Sequence, residues 1–220
     1  MDGTLYDSMP NHVRAWMKVM QDINVRAREE EFYLNEGSTG GWFIDKMIRR
    51  EFGRPATEQE KKDYYALKAK YFTEQPPVEV MPGAKAIVTR LLDMGITTVL
   101  VTGSGQNSLL SRLEEDFPGA FPPERRVTSA SVTHGKPHPE PYLTGATLAG
   151  AHPSEAIAID NAPLGVKSGH AAGIYTVGVV TGPIPTETLH AEGADVVFNS
   201  LEELSAQLPQ LIETIENQPL

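Results

Sequence analysis

Buried strands alternate with amphipathic helices along the chain after Met81. Residues 96–101, 156–160 and 174–180 are near-continuous apolar runs rich in β-branched side chains, the pattern of strands buried on both faces of a sheet. Helical patterns separate these runs, and a strand–helix–strand succession implies parallel strands joined by right-handed crossovers. We therefore expect an α/β fold with a Rossmann-like parallel sheet.

The chain before Met81 has a different pattern. Its apolar residues recur at helical spacing from Asn11 to Asp22, again from about Trp42, and again after a Thr57–Glu60 capping box, whereas residues 26–31 form a polar break. Residues 9–79 thus indicate an inserted α-helical cap domain. Residues 1–8 and 80–220 would form the core.

The charge and composition of the chain indicate which kinds of partner to expect. The chain has 220 residues, a formal net charge of -10 and no cysteine. Nucleic acids and anionic membranes favour clustered Lys and Arg, so neither is an expected partner. No apolar run is long enough for a membrane span and no signal peptide is visible, so we expect a cytoplasmic protein, a monomer or weak homodimer, with a small-molecule partner.

Polar residues follow two of the predicted strands. Thr102, Gly103 and Ser104 could bind phosphoryl oxygens through a hydroxyl and backbone amides, or Thr102 could simply cap a helix. Asp160 and Asn161 offer the oxygen ligands that suit Mg²⁺, or they cap the next helix. Ligands bind beyond the carboxyl ends of strands in open α/β sheets, so both groups point to one crevice.

Two further charged residues stand in turns. Lys136 lies between Gly135 and Pro137, where a fixed ammonium could neutralise a phosphoryl group, although most lysines are solvated surface residues. Asp2 precedes Gly3 in a turn dipeptide near the start of the chain. Either residue alone is weak evidence for a site.

Together, these segments resemble the four motifs of the haloacid dehalogenase superfamily of aspartyl-phosphate hydrolases, in its β-phosphoglucomutase-like branch. The matching segments, in chain order, are Asp2-Gly3-Thr4, Val101-Thr102-Gly103-Ser104, Gly135-Lys136-Pro137-His138-Pro139 and Asp160-Asn161. The family's first motif is Asp-x-Asp-Gly-Thr, with its first Asp as nucleophile. Met1 stands at the x position, and Asn161 replaces the second acid that is usual in the fourth motif.

The resemblance implies a mechanism and a cofactor. The first Asp of the motif would attack phosphorus, and Asp2 would be general acid and then general base. Thr102 and Lys136 would complete the catalytic set and, with Gly103 and Ser104, bind phosphate. Mg²⁺ would be held by Asp2, Asp160 and Asn161.

Substrate choice would come from the cap, where His12 and Glu36 are the candidate residues. Either could instead be a solvent-facing side chain. The mutases of the branch have two cations in the corresponding loop, whereas this chain has Glu36 and Gly40 there, which disfavours mutase chemistry.

We expect a Mg²⁺-dependent phosphohydrolase for a small phosphate compound, such as pyrophosphate or a sugar phosphate. The alternatives are a β-phosphoglucomutase-like mutase and a non-catalytic phosphate-binding pseudoenzyme.

The resemblance also predicts a strand before Asp2, between the strands that end at Thr102 and Asp160. Since only Met1 precedes Asp2, we expect that place to be empty. The two flanking strands should then lie about twice the ordinary spacing of about 4.8 Å apart, with unpaired amides and carbonyls facing the gap. The isolated chain should be poorly soluble or loosely folded, because unpaired buried backbone groups cost about 1–3 kcal/mol each. Adding about six apolar residues, the length of an ordinary strand, followed by Asp should restore a cooperative thermal melt and Mg²⁺-dependent activity. A cooperative melt of the 220-residue chain, with residues 96–101 paired directly to 156–160, would contradict this placement.

Overall fold

The computed structural model describes residues 1–105 and 107–216. A block of four helices comes first in the chain: α1 (Met9–Asp22), α2 (Glu29–Leu34), α3 (Gly40–Phe52) and α4 (Glu58–Thr73). Short strands and helices alternate after it, as the sequence predicted. They are α5 (Ala84–Asp93), β1 (Leu100–Val101), α6 (Asn107–Leu110), α7 (Leu113–Asp116), β2 (Arg126–Val127), α8 (Glu140–Ala149), β3 (Ile157–Asp160), α9 (Pro163–Ala171), β4 (Tyr175–Val179), α10 (Thr186–Ala191), β5 (Val196–Phe198) and α11 (Leu201–Glu216).

Local chemistry explains the helix starts in the first block. The predicted capping box is present, since the Glu60 N–H donates to Thr57 Oγ1 (3.1 Å) and the Thr57 N–H donates to Glu60 Oε2 (2.8 Å). The predicted polar break at residues 26–31 is wrong, because α2 begins within it. Acidic side chains suit the positive end of this short helix, and Phe32 is buried in the core of the block.

The strands are parallel, as predicted, but they form two separate sheets among the residues described. β1 pairs with β2, and β3 pairs with β4, which pairs with β5. The prediction that the strands ending at Thr102 and Asp160 do not pair directly is confirmed.

Several predicted elements are shorter than expected. The strand predicted at 96–101 is reduced to Leu100–Val101, because β2 offers only a two-residue partner and the Thr98 hydroxyl donates instead to the Ala120 carbonyl (2.6 Å). The single helix predicted around residues 109–113 is two short ones, α6 and α7. The helix α10 was not predicted.

The largest hydrophobic clusters differ between the two parts of the chain among the residues described. The first block encloses Val19, Met20, Ile44, Met47 and Ile48, each at most 1% exposed. A separate cluster joins α5, α11 and the strands. These separate cores support our proposed division into a cap at 9–79 and a core at 1–8 and 80–220. In the parts of the chain that are described, no helix is long and apolar enough to cross a membrane.

The packing of α5 against α11 depends on a glycine. Gly83 has φ of +83°, and a Cβ placed on it would lie 2.6 Å from Glu202 N and 2.7 Å from Leu201 C. Gly95, after α5, has φ of +71° with nothing within 4 Å of a Cβ, so it offers a matched control.

We expect Gly83→Ala to lower the free energy of unfolding more than Gly95→Ala. Both substitutions incur about 1–2 kcal/mol for a left-handed backbone, and Gly83→Ala adds about 1–3 kcal/mol of overpacking against backbone atoms. Urea denaturation of the two variants measures the difference. Equal losses would show that α11 shifts freely away from α5.

Candidate functional site

The N-terminal turn is held against the end of β3. The Met1 carbonyl accepts hydrogen bonds from the N–H groups of Leu5 (2.8 Å) and Tyr6 (3.1 Å), which closes a tight turn. Gly3 has φ of +64°, and a Cβ there would lie 2.1 Å from Asn161 Nδ2. Only glycine therefore allows this turn to approach Asn161 so closely.

Asp2 is joined to the cap by His12. Its Oδ1 lies 2.7 Å from His12 Nε2 and accepts a hydrogen bond of 2.7 Å from the Ser8 hydroxyl. Burial by itself would raise the pKa of Asp2, but the charge and hydrogen bond of His12, with the Ser8 hydroxyl, outweigh it and hold that pKa far below its ordinary value. Burial and nearby Lys68 lower the pKa of His12. In the free chain Asp2 is therefore held as a carboxylate.

Lys136 and Asp160 form a buried ion pair behind this turn. Lys136 Nζ donates to Asp160 Oδ2 at 2.7 Å and to the Val101 carbonyl at 3.2 Å, and the Tyr142 hydroxyl donates to the same carboxylate oxygen at 2.6 Å. Burial opposes ionisation of Asp160, but Lys136, Tyr142 and the Ala162 N–H stabilise the carboxylate and leave its pKa below the ordinary value. A fixed ammonium thus lies beside the ends of β1 and β3.

Asn161 connects the core to Glu36 of the cap. Its Oδ1 accepts from the Thr4 hydroxyl (2.9 Å), and its Nδ2 donates to both carboxylate oxygens of Glu36 (3.0 and 3.1 Å). Burial raises the pKa of Glu36 to about 8, with Asp160 and Asp2 adding to the effect against the Asn161 hydrogen bond. The cap therefore places a poorly neutralised acid against the core.

The segment after β1 is packed against the same cap loop. The hydroxyl of buried Thr102 accepts from the Ser104 N–H (3.1 Å), so it also fits the simple capping interpretation. A Cβ on Gly103 would lie 2.2 Å from the Gly37 carbonyl oxygen. The Gly105 N–H donates to the Tyr65 hydroxyl (3.3 Å), which joins α4 to this segment.

One cavity is lined by every residue predicted for the site. They are Asp2, His12, Glu36, Thr102, Gly103, Ser104, Lys136, Asp160 and Asn161. The structure thus brings together side chains from both parts of the chain.

Sequence reasoning missed three residues of this site: Tyr65, Lys68 and Tyr142. Lys68 is only 3% exposed, and its Nζ lies 5.0 Å from the ring centroid of Phe72 and 5.7 Å from that of Tyr65. Burial lowers the pKa of Lys68 to about 8, against the attraction of Asp2. The sequence does carry a signal for Lys68: it lies four residues before Phe72 in α4, so the two side chains share the apolar face of that helix.

The donor atoms in the cavity suit a magnesium ion. Mg²⁺ prefers oxygen ligands and is often held by one or two carboxylates together with water and substrate phosphate. Glu36 supplies a carboxylate, Asn161 an amide oxygen and Asp2 a main-chain carbonyl. Asp160 offers its Oδ1, because its Oδ2 is already bonded to Lys136 and Tyr142. The oxygen-rich set and the buried acid at Glu36 fit a divalent cation.

Comparison with known proteins agrees with this geometry. A sequence model of the haloacid dehalogenase-like hydrolases matches residues 1–173. Hexitol phosphatase A of Escherichia coli K12 is 31% identical over 206 residues, covering 93% of this chain and 90% of that protein. β-Phosphoglucomutase of Bacillus subtilis 168 is 23% identical over 222 residues, covering 93% of this chain and 90% of that protein.

A solved structure shares the whole fold. It is titled a putative β-phosphoglucomutase from Bacteroides vulgatus, and it superposes with a TM-score of 0.94 at 43% identity, covering 99% of this chain and 88% of that chain. The family match extends over most of the chain, and the relatives align along nearly all of it. This chain therefore belongs to the haloacid dehalogenase-like hydrolase family, in its β-phosphoglucomutase-like branch, and is a phosphatase-type enzyme of that family.

Proposed function

We propose that this protein is a Mg²⁺-dependent phosphohydrolase that acts on a small phosphate compound through an aspartyl-phosphate intermediate. One observation carries the proposal: a single cavity joins the buried Lys136–Asp160 pair (2.7 Å) of the core to Glu36 and His12 of the cap. Phosphatases and a mutase both occur among its relatives. The cap residues therefore have to decide between the two reactions.

Each core residue has a task in the proposed reaction. The first Asp of the complete motif attacks phosphorus while the bond to the leaving oxygen breaks. Asp2, a carboxylate in the free chain, has to take up a proton when the substrate binds, and it then gives that proton to the leaving oxygen. Asp2 then takes a proton from the water that hydrolyses the phospho-aspartate. Lys136, fixed by Asp160, neutralises phosphoryl oxygens, and Thr102 with the amides of Gly103 and Ser104 orients them.

Glu36, Asn161, Asp160 and the Asp2 main-chain carbonyl are the groups that would hold Mg²⁺. When bound, the cation would neutralise phosphoryl oxygens and lower the charge that builds up during transfer. Glu36 ties this set to the cap, so a closed cap completes it. His12 holds the Asp2 carboxylate at 2.7 Å and so orients the proton-transferring group.

Gly40 and Tyr65 argue against the mutase alternative. A Cβ on Gly40 would lie 2.3 Å from Cδ2 of the Tyr65 ring, so this ring occupies the space in which a longer side chain at residue 40 would begin. Mutases of the branch have a cation at this position to hold a second phosphate. Here residue 36 is an acid, Glu36, so this loop offers a second phosphate no cation at either position.

The phosphohydrolase proposal is tested in a chain extended by an apolar strand and Asp, so that its first motif is complete. We expect release of inorganic phosphate from pyrophosphate and from p-nitrophenyl phosphate, dependent on Mg²⁺ and without a bisphosphate activator. Interconversion of sugar phosphates that requires a bisphosphate would favour the mutase. Substrate binding without turnover would favour the pseudoenzyme.

In the same assay, Glu36→Ala should lower turnover of pyrophosphate more than that of p-nitrophenyl phosphate. A carboxylate that holds the cation against a second phosphoryl group matters only when such a group is present. Glu30→Ala, at an exposed acid of α2, is the control and should change neither rate. Equal losses for both substrates would remove Glu36 from substrate selection.

Lys68 should give the reaction a basic limb in its pH profile. Because burial lowers the pKa of Lys68 to about 8, the free enzyme loses this cation as pH rises through that value. We expect kcat/KM, which reports groups of the free enzyme, to fall above about pH 8. Lys68→Met should lower the plateau and abolish this limb, whereas Lys70→Met, at an exposed position, should keep both. A limb that persists in Lys68→Met belongs to another group.

A further inference from the structure

Two histidines and a glutamate converge on the outer side of the loop that carries Lys136. His134 Nδ1 lies 2.9 Å from Glu140 Oε2, and His138 Nδ1 lies 3.9 Å from the same oxygen. The two imidazole rings overlap, with 4.6 Å between their centroids and an interplanar angle of 31°. All three ligand atoms lie within 4.8 Å of one another. The proposed phosphohydrolase mechanism uses none of these side chains.

Hydrogen bonds hold this cluster in place before any ligand binds. The N–H groups of Thr133 and His134 donate to the Glu140 carboxylate at 2.6 and 2.9 Å. The His138 carbonyl accepts from the Ser168 hydroxyl at 2.6 Å, which ties the loop to α9. Main-chain positions on both sides of Lys136 are therefore fixed, and little ordering remains for a ligand to impose.

The spacing matches what a transition-metal ion requires. Zn²⁺ binds imidazole nitrogen and carboxylate oxygen at about 2.0–2.2 Å, which places tetrahedral ligand atoms about 3.3–3.6 Å apart. The observed separations of 2.9 and 3.9 Å bracket that value. Two histidines and one glutamate form a known zinc ligand set with a fourth position for water.

We propose that His134, His138 and Glu140 bind a divalent transition-metal ion of the Zn²⁺ class, at a site separate from the phosphate cavity. The side chains of His134 and His138 are 63% and 50% exposed, so the ion would enter from solvent. Lys136, in the same loop, is 6% exposed and points to Asp160. An ion bound by side chains on both sides of Lys136 would add to the hydrogen bonds that already hold this loop.

Ligand chemistry separates this site from the one proposed for Mg²⁺. Imidazole suits Zn²⁺, Cu²⁺ and Ni²⁺, whereas Mg²⁺ takes oxygen ligands and retains its waters. The outer cluster offers two imidazoles, whereas the cavity offers mainly carboxylate and amide oxygens. Excess Mg²⁺ should therefore leave Zn²⁺ bound to the loop.

The test is a titration of the 220-residue chain with Zn²⁺ against a chromophoric chelator, in saturating Mg²⁺ and without substrate. We expect one equivalent to bind, and bound Co²⁺ to give the visible absorption of a tetrahedral ion.

His134→Ala and His138→Ala should each weaken Zn²⁺ binding by at least the roughly 10- to 100-fold seen when even a supporting group is lost. Glu140→Gln removes the carboxylate charge and keeps one acceptor oxygen for the two N–H groups, which donate to different carboxylate oxygens, so it should also weaken Zn²⁺ binding. His152→Ala, at an exposed histidine elsewhere, is the control and should bind as the unchanged chain does.

Thermal melts report whether each variant folds, and Zn²⁺ should raise the melting temperature of the unchanged chain but not of His134→Ala. Absence of Zn²⁺ binding overturns the proposal, as does equal affinity in folded His134→Ala and His138→Ala. Displacement of Zn²⁺ by Mg²⁺ would place the ion in the phosphate cavity and also overturn it. Since no readout uses turnover, failure here leaves the proposed phosphohydrolase reaction untouched, and the reverse holds.

Discussion

The buried ion pair of Lys136 and Asp160 is the interaction on which the site depends. Taking two charges out of water costs several kcal/mol per ion, and only close geometry with further hydrogen bonds offsets that cost. The Tyr142 hydroxyl, the Ala162 N–H and the Val101 carbonyl supply those bonds. The pair therefore links β1, β3, α8 and the loop before α8, and it sets the position of the ammonium relative to both strand ends.

Close backbone contact is the second requirement, because the cap has to reach the core without intervening side chains. A Cβ on Gly103 would collide with the Gly37 carbonyl, and a Cβ on Gly3 would collide with Asn161 and Glu36. A side chain at residue 165 would meet the Asp160 carboxylate at 2.0 Å. Glycines thus stand where the backbone approaches a functional group, and the absence of their side chains lets the cap and the core come into direct contact.

The helical cap contributes two ionisable side chains to the cavity, Glu36 and Lys68. Lys68 is buried and Glu36 is half-buried at the cavity, and desolvation moves both pKa values to about 8, the acid upward and the base downward. Each group is thus held in an environment that opposes its charge, and an arriving phosphate with a cation would relieve both. Neither residue belongs to the core.

The sequence by itself determined the α/β class, the helical block before Met81 and the four segments that line the cavity. Strand and helix periodicity are local properties, and the carboxyl ends of parallel strands meet at one edge of a sheet. Three features were decided only by the tertiary structure. Within residues 96–101 only Leu100 and Val101 form a strand, Glu31 and its neighbours belong to a helix, and the Lys68 side chain points into the protein. Strand length depends on the partner available for hydrogen bonding, and the charge state of a side chain depends on burial. Both are fixed by residues distant in the chain, such as Arg126 beside Leu100 and Asn161 beside Glu36, and no local pattern carries that information.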